Sequence, residues 1–574
     1  MAKKEKFNKL KINSESYNLA GSINSSEFGN SVESSSDIPF SKYPRPQFKR
    51  DSFFRLNGKW DCGAIVPFPL GSEKSQVSAK EEYSYYTTFS LPYGFVKDRV
   101  FLNFGAVDQI AKVFINGKEV GSHESGYSHF SFDITDFIFP EKLNKIQVDI
   151  IDKLDHKYPY GKQKKKRGGM WYTPISGIWQ TVWLESVPKN YIRKIKITPD
   201  LEGIKLEIDG DEEKYSVKIK SREDGTEQAI STSEKNLYIK VQNPKLWSPE
   251  EPNLYDLTIE GKQDKIQSYF GLRTVGIGLD ENGLKRLLLN GKPYFFNGIL
   301  DQGYWPEGIF LPNSESGWEN DILAMKKLGF NTLRKHIKIE PDSFYEACDR
   351  LGMVVFQDFV NNSDYSFFHD TVLPTICTCH FDDRRYHNSS ESRSIFKESV
   401  SDTIDTLYNF PCICYYTIFN EGWGQFCADE MYDFVKKQDS TRIIDATSGW
   451  FKQKKSDVES YHIYFRKIKI KKSDKPIVIS EFGGYSFKME PNHYFNKVKN
   501  YGYKTFKTQE ELEKGILSLY ENQIKPYIKK GLCAAIYTQL SDVEDETNGF
   551  LTYDRIPKVS DISAEFRLLS SPHE

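Results

Sequence analysis

The chain has 574 residues, too many for one ordinary hydrophobic core, and its length predicts three or four domains. Its 38% hydrophobic and 28% charged residues describe a folded, water-soluble polypeptide and exclude a disordered one. The formal net charge is -2, with both signs spread along the chain, so neither nucleic acid nor an anionic membrane is expected as a partner. The basic N-terminus has no apolar stretch behind it, and no run of about 18 apolar residues occurs, so neither a secretory signal nor a transmembrane helix is expected. Eight cysteines are sparse for this length, and Cys412, Cys414 and Cys533 sit in apolar runs. They read as reduced core thiols of a cytoplasmic protein. The cluster Cys377-x-Cys379-His380 lacks a second ligand pair at zinc spacing, and no metal is expected.

Residues 1–40 are rich in Ser, Asn and Lys and read as a flexible arm. From about residue 50 the pattern alternates, as in Glu82 to Leu91, Val100 to Phe104 and Ile146 to Ile151. Asn116-Gly117 between two such runs predicts a tight hairpin. Strands at this spacing without helices predict a β-sandwich over 41–188. A second all-β unit of immunoglobulin-like length follows over 189–277, with strands such as Ile192 to Thr198 and Tyr215 to Lys220. Over 278–574 strands and helices alternate. Helices are predicted at Trp318–Leu328, Asp342–Leu351, Ser392–Leu407, Ala428–Gln438 and Gln509–Tyr527, each followed by an apolar strand. This order and size predict a (β/α)8 barrel. No Gly-x-Gly-x-x-Gly opens the first unit, so no dinucleotide is expected, and no other cofactor is.

Two barrel segments carry the chemistry. Thr417-Ile-Phe-Asn-Glu-Gly-Trp423 and Ile477-Val-Ile-Ser-Glu-Phe-Gly-Gly484 are buried strands that end on a glutamate and break at glycine. Each by itself reads equally well as a glutamate in a turn. The active site of such a barrel lies at the carboxyl ends of its strands, which puts Glu421 and Glu481 on one rim. Paired carboxylates are what glycosidic bond cleavage requires. Asn420 reads either as a turn residue or as a partner for a sugar hydroxyl, and Trp423 as a ring face. Arg334 would hold a neighbouring carboxylate ionised, and His336 would bind a hydroxyl unless it is a satisfied core histidine. Asp301 and Asp358 close two other strands, Asp301 as a candidate for distal hydroxyls. Tyr464 would donate to the nucleophile or else pack the barrel.

Taken together, these residues resemble glycoside hydrolase family 2, the β-galactosidase/β-glucuronidase group, over about residues 50–560. Val113-Phe-Ile-Asn-Gly-Lys-Glu-Val-Gly121 and Gly177-Ile-Trp-Gln-Thr-Val-Trp-Leu-Glu185 are similar to its jelly-roll sugar-binding domain. Leu246-Trp-Ser-Pro-Glu-Glu-Pro-Asn-Leu-Tyr255 and Phe270-Gly-Leu-Arg273 are similar to its immunoglobulin-like domain. Asn331-Thr-Leu-Arg-Lys-His336, Phe419-Asn-Glu-Gly-Trp423 and Ser480-Glu-Phe-Gly-Gly484 match its barrel motifs. The resemblance implies a retaining exo-β-glycosidase with Glu421 as acid/base and Glu481 as nucleophile. A glycoside or oligosaccharide is the implied substrate, with β-galactoside as default and homo-oligomers common. Glucuronide, mannoside and arabinoside hydrolysis, or sugar binding without catalysis, are the alternatives. The sequence departs from the family in two places. Tyr537 stands where a tryptophan is frequent, as a sugar contact. The Asn-x-Lys pair that reads a uronic acid is not evident in 539–558, where Asp542–Asn548 instead crowds acids that would repel an anionic sugar or hold a cation.

Overall fold

A computed structural model describes residues 38–372, 382–387, 389–489, 501–560 and 566. The Cys377–His380 cluster and nearly all of the expected arm lie outside the described residues. The first sandwich packs a sheet ordered 53–55, 182–187, 99–104 and 130–133 on one ordered 82–89, 144–151, 110–115 and 118–124. Alternate residues such as Val100, Leu102, Val113, Ile115, Ile146 and Val148 face inward and form its core. The predicted hairpin turns at Asn116 and Gly117, both at positive φ. The second sandwich pairs 192–199, 203–210 and 236–240 against a sheet of 215–221, 227–232, 255–260 and 265–270. Its core is largely Ile, Leu and Val. It meets the barrel where Trp247 Nε1 donates to the Asp349 carbonyl at 2.8 Å and Tyr269 donates to the Asp349 carboxylate at 2.8 Å.

The barrel has eight parallel strands: β1 (Phe296–Asp301), β2 (Thr332–Lys335), β3 (Val354–Asp358), β4 (Ile413–Asn420), β5 (Ile443–Ser448), β6 (Glu459–Ile463), β7 (Ile477–Gly483) and β8 (Leu532–Thr538). Neighbours in sequence are neighbours in the ring, and β8 returns to β1. Between β5 and β6 the seam is bridged by side chains, with Ser460 Oγ donating to Asp445 at 3.0 Å. Every residue of β4 and β7 is buried, because core packs on both their faces. Helices α1 (Ser316–Lys327), α2 (Asp342–Leu351), α3 (Ser390–Leu407), α4 (Ala428–Gln438) and α5 (Gln509–Leu519) cover the outside. Helix α2 buries Phe344, Tyr345, Ala347 and Cys348, a helical stripe, and stops at left-handed Gly352. Helix α5 starts at the N-cap Thr508, whose Oγ1 accepts from Glu511 N, and the Glu511 carboxylate accepts from Lys507 N one residue earlier. The expected helix over 509–527 leaves regular α geometry at Tyr520–Ile524 before resuming. Among the described residues no helix follows β5 or β6, whose connections are the loops 449–458 and 464–476. Cys348, Cys412, Cys414 and Cys533 are buried free thiols. No helix among the described residues is long and apolar enough to cross a membrane.

Candidate active site

The strand ends bring Glu421 and Glu481 together. A carboxylate oxygen of each and a ring nitrogen of His462 lie within 4.8 Å of one another. Glu421 follows the last residue of β4 in a left-handed conformation (φ 55°), and its N–H donates to the Ser448 carbonyl at 3.0 Å. Such a turn at a non-glycine residue costs energy and redirects the side chain off the strand axis. Glu481 lies within β7, paired in register with His462 of β6.

Arg334, fully buried at the end of β2, organises the floor. Its Nε donates to Asp358 at 3.0 and 3.1 Å, Nη1 to Glu481 Oε1 at 3.0 Å and to the Ser480 carbonyl at 2.9 Å, and Nη2 to Asn420 Oδ1 at 2.9 Å. Because that oxygen is taken, Asn420 is left with its amide hydrogens to offer. Tyr464 donates to Glu481 Oε2 at 2.5 Å, and its ring stacks on Tyr503 at 3.8 Å. Burial by itself would raise the Glu481 carboxyl, but the charges of His462, Arg334, His336 and Lys162 outweigh it and hold it down to about 2. His336 bonds Asp358 through Nδ1 at 2.7 Å, and burial, with the charge of Lys162, lowers it to about 4.

The glycines of Ser480-Glu-Phe-Gly-Gly484 have a packing reason. A methyl group on Gly484 would come within 2.2 Å of the Tyr503 ring, and one on Gly483 within 2.3 Å of the Tyr537 ring. Only glycine lets Tyr503 reach Tyr464.

Of the residues anticipated from sequence, Glu421, Glu481, Arg334, His336, Asn420 and Tyr464 form one connected set. Asp301 does not join it, since its oxygens are taken by Lys335 at 2.5 Å and Gly303 N at 2.8 Å, within a buried Lys335–Glu340–Lys338 network. Tyr537 is fully buried against Phe482, Phe550 and Tyr520, and its hydroxyl accepts from Tyr485 N. The next residue, Thr538, meets Tyr464 instead, at 2.9 Å. Trp423 is 3% exposed, boxed in by Tyr160 and Trp171 of the first sandwich and by Tyr365. Its ring is an inter-domain contact, and the half-buried Trp171 is the more open of the two indoles.

The acidic loop is neither open nor free. Asp542 pairs with Lys558 at 2.7 Å. Glu544 accepts from Thr173 N at 2.9 Å, and Arg167 reaches Glu544 and Asp545 at 3.5 and 3.3 Å. Glu546 accepts from Asn548 at 3.0 Å and from the Tyr172 hydroxyl. A basic segment of the first sandwich, 162–173, thus closes over one side of the barrel mouth. The charge of Lys162, within it, acts on Glu481, His336 and Glu546.

Sequence reasoning passed over His462, Lys162 and Tyr503. His462 alone had a signal, because it lies two residues from Tyr464 and so on the same strand face. Glu421, His462 and Glu481 have the spacing of a metal site, but a cation there would compete with Arg334 and Tyr464 for Glu481. A separate cavity of about 360 Å3, lined among others by Tyr43, Arg45, Trp183, Asp342 and Asn409, includes neither glutamate.

Family models match in the order of these domains. The galactose-binding-like domain of glycosyl hydrolases family 2 covers 67–198, the central family 2 domain 190–273, and the family 2 TIM barrel domain 282–560. The chain belongs to glycoside hydrolase family 2. The chain is 25% identical over 434 residues to a β-galactosidase of Thermoanaerobacter pseudethanolicus, covering 70% of this chain and 53% of that protein. It is 24% identical over 391 residues to a β-glucuronidase of Paenibacillus borealis, covering 63% of this chain and 62% of that one. The chain therefore spans little more than half the length of these relatives. The crystal structure of Ruminococcus gnavus β-glucuronidase superposes on the family 2 fold with a TM-score of 0.72 over 92% of this chain and 100% of that one, at 18% identity.

Proposed function

We propose that this family 2 hydrolase is a retaining exo-β-glycosidase in which Glu481 is the nucleophile and Glu421 the acid/base. The carrying observation is the separation of the two carboxylates, with oxygens within 4.8 Å. Retaining enzymes hold their pair about 5–5.5 Å apart, whereas inverting enzymes leave about 6.5–9.5 Å for a water. Their surroundings separate the roles. Glu481 is 7% exposed and kept ionised by Arg334 and its neighbours, as a nucleophile must be. Glu421 is 22% exposed, open to a leaving group and then to water.

In the first step a Glu481 oxygen bonds to the anomeric carbon as the glycosidic C–O bond breaks, and the proton of Glu421 passes to the departing oxygen. In the second, Glu421 takes a proton from water, whose oxygen displaces Glu481 from the anomeric carbon with net retention. Asn420 supplies an amide donor beside the reacting carbon.

A neutral sugar, with β-galactoside first, suits a mouth in which Glu421, Glu481 and Glu546 are carboxyls and the Arg334 charge is already shared between Asp358 and Glu481. A uronide is the second reading, favoured by the charge of Lys162 over the same mouth. A panel of nitrophenyl β-glycosides on purified protein separates the two, and NMR of the first-formed product anomer tests retention. A first-formed α-anomer would overturn the mechanism, and turnover of the glucuronide over the galactoside would overturn the neutral-sugar assignment.

A further inference from the structure

We infer that His462 is a positioning residue for both glutamates, a buried strut that aims Glu421 at the leaving group while fixing its distance from Glu481. The inference rests on the acid/base and nucleophile reading above. The His462 side chain is fully buried. Its Nδ1 lies 2.7 Å from Glu421 Oε1 and 3.5 Å from Glu481 Oε2, so a single ring atom touches both carboxylates. On the far side Nε2 lies 3.1 Å from Ser448 Oγ and 3.5 Å from Arg334 Nη1. Ser448 in turn donates to Ser480 Oγ at 2.9 Å, which ties the ring to the residue before Glu481. A nitrogen facing two carboxylate oxygens must carry a hydrogen to be tolerated there, and that fixes the ring's orientation.

This placement has its own accommodation in the chain. Gly449, directly after β5, has φ 85°, and a methyl group on it would lie 2.6 Å from His462 Cγ and 2.7 Å from Cδ2. The turn after β5 therefore needs glycine on two counts, its backbone conformation and the imidazole packed against it. That same turn carries Ser448, whose carbonyl receives the Glu421 N–H at 3.0 Å. His462 and the backbone of β5 thus hold Glu421 from its side chain and its main chain at once. Without the ring, the half-buried and strained Glu421 loses the one side-chain hydrogen bond it makes among the described residues.

A strut for the acid differs from a residue that merely stabilises the barrel in its leaving-group dependence. Phenyl β-galactoside needs proton donation to its departing oxygen, whereas 2,4-dinitrophenyl β-galactoside does not. His462→Phe is expected to lower kcat/KM, which reports the glycosylation step alone, by about 100-fold for the phenyl substrate and several-fold at most for the dinitrophenyl substrate, within the range that general acid catalysis supplies. His462→Asn, which keeps a donor near the Nδ1 position, should recover much of the loss. Gly449→Ala, which leaves His462 in the sequence but displaces its ring, should show the same split between substrates. Glu421→Gln is the reference. If it shows the split and His462→Phe and Gly449→Ala slow both substrates equally, or neither, the inference is overturned by itself. If Glu421→Gln shows no split, the acid/base assignment falls and this inference with it.

Discussion

Glu481 is held at both of its oxygens. Arg334 and Tyr464 bond its two oxygens separately, at 3.0 and 2.5 Å. Removing the carboxylate in Glu481→Gln should abolish turnover of an aryl glycoside, and full activity would sink the nucleophile assignment. In Glu421→Ala a small anion can take the vacated space, so azide should partly restore turnover on substrates with good leaving groups and yield a glycosyl azide. Tyr464→Phe removes a hydrogen bond to a charged group, worth about 1.5–3 kcal/mol, so kcat should fall by roughly 10- to 100-fold. The direction of its pH effect follows from the ionisation state. The nucleophile works when deprotonated, and its carboxyl sits near 2, so activity disappears as pH falls through that value. Losing the Tyr464 bond weakens the ionised form and moves the acid limb of kcat/KM upward, toward the ordinary carboxyl range. A limb that did not move would mean that Tyr464 acts through packing alone.

At the scale of elements, the glycine pair after Glu481 links strand geometry to chemistry. Gly484→Ala would drive a methyl group into Tyr503 at a backbone φ of 64°. A cost of about 1–3 kcal/mol is expected from overpacking and left-handed strain. Thermal melting should register it, together with a fall in kcat, because Tyr503 stacks on Tyr464. The same scale shows how far the sequence could be read. Buried apolar runs mark seven of the barrel strands, and an Asn-Gly turn marks its hairpin, because these signals are local, whereas β6, mixed in polarity and only partly buried, has no such run. The absence of helices after β5 and β6 could not be read, since barrel closure there depends on Ser460 and Ser448 meeting groups on neighbouring strands. Tyr537 was expected as a sugar contact only because it stands where the resembled family often has a tryptophan; adjacent residues at a strand end face opposite ways, and only the closed barrel decides that Thr538 meets Tyr464. The acidic residues of 542–548 looked free because their partners Arg167, Tyr172 and Thr173 lie more than 300 residues away in sequence. His462 was passed over although its place two residues before Tyr464 puts both on one face.

For the whole molecule, the same kind of distant pairing joins residues 43–50, the linker that leads into the first sandwich, and both sandwiches at Glu185. Its carboxylate, 3% exposed, accepts from Arg45 at 2.9 and 3.0 Å, Arg50 at 3.2 Å, Tyr43 at 2.6 Å and Trp183 at 2.8 Å. Arg50 continues to Asp264 of the second sandwich at 3.1 Å, and Asp264 accepts from Ile192 N at 2.9 Å. Burial would raise the Glu185 carboxyl, but Arg45 and Arg50 override it and bring it from 4.5 down to about 2. A depressed acid stabilises the folded state above its unfolded value and loses that contribution as pH falls toward its folded one. The contribution at neutral pH is about 3 kcal/mol, since each pH unit is worth about 1.36 kcal/mol. Glu185→Gln should therefore lower the free energy of unfolding by about that much in urea at pH 7, because two buried guanidinium groups lose their counter-charge. Between pH 4.5 and pH 2 the gap between the two proteins should close, as the native carboxyl takes up its proton. A loss of equal size at both ends of that window would assign Glu185 a packing role and remove the charge from the account of how the linker holds the two sandwiches.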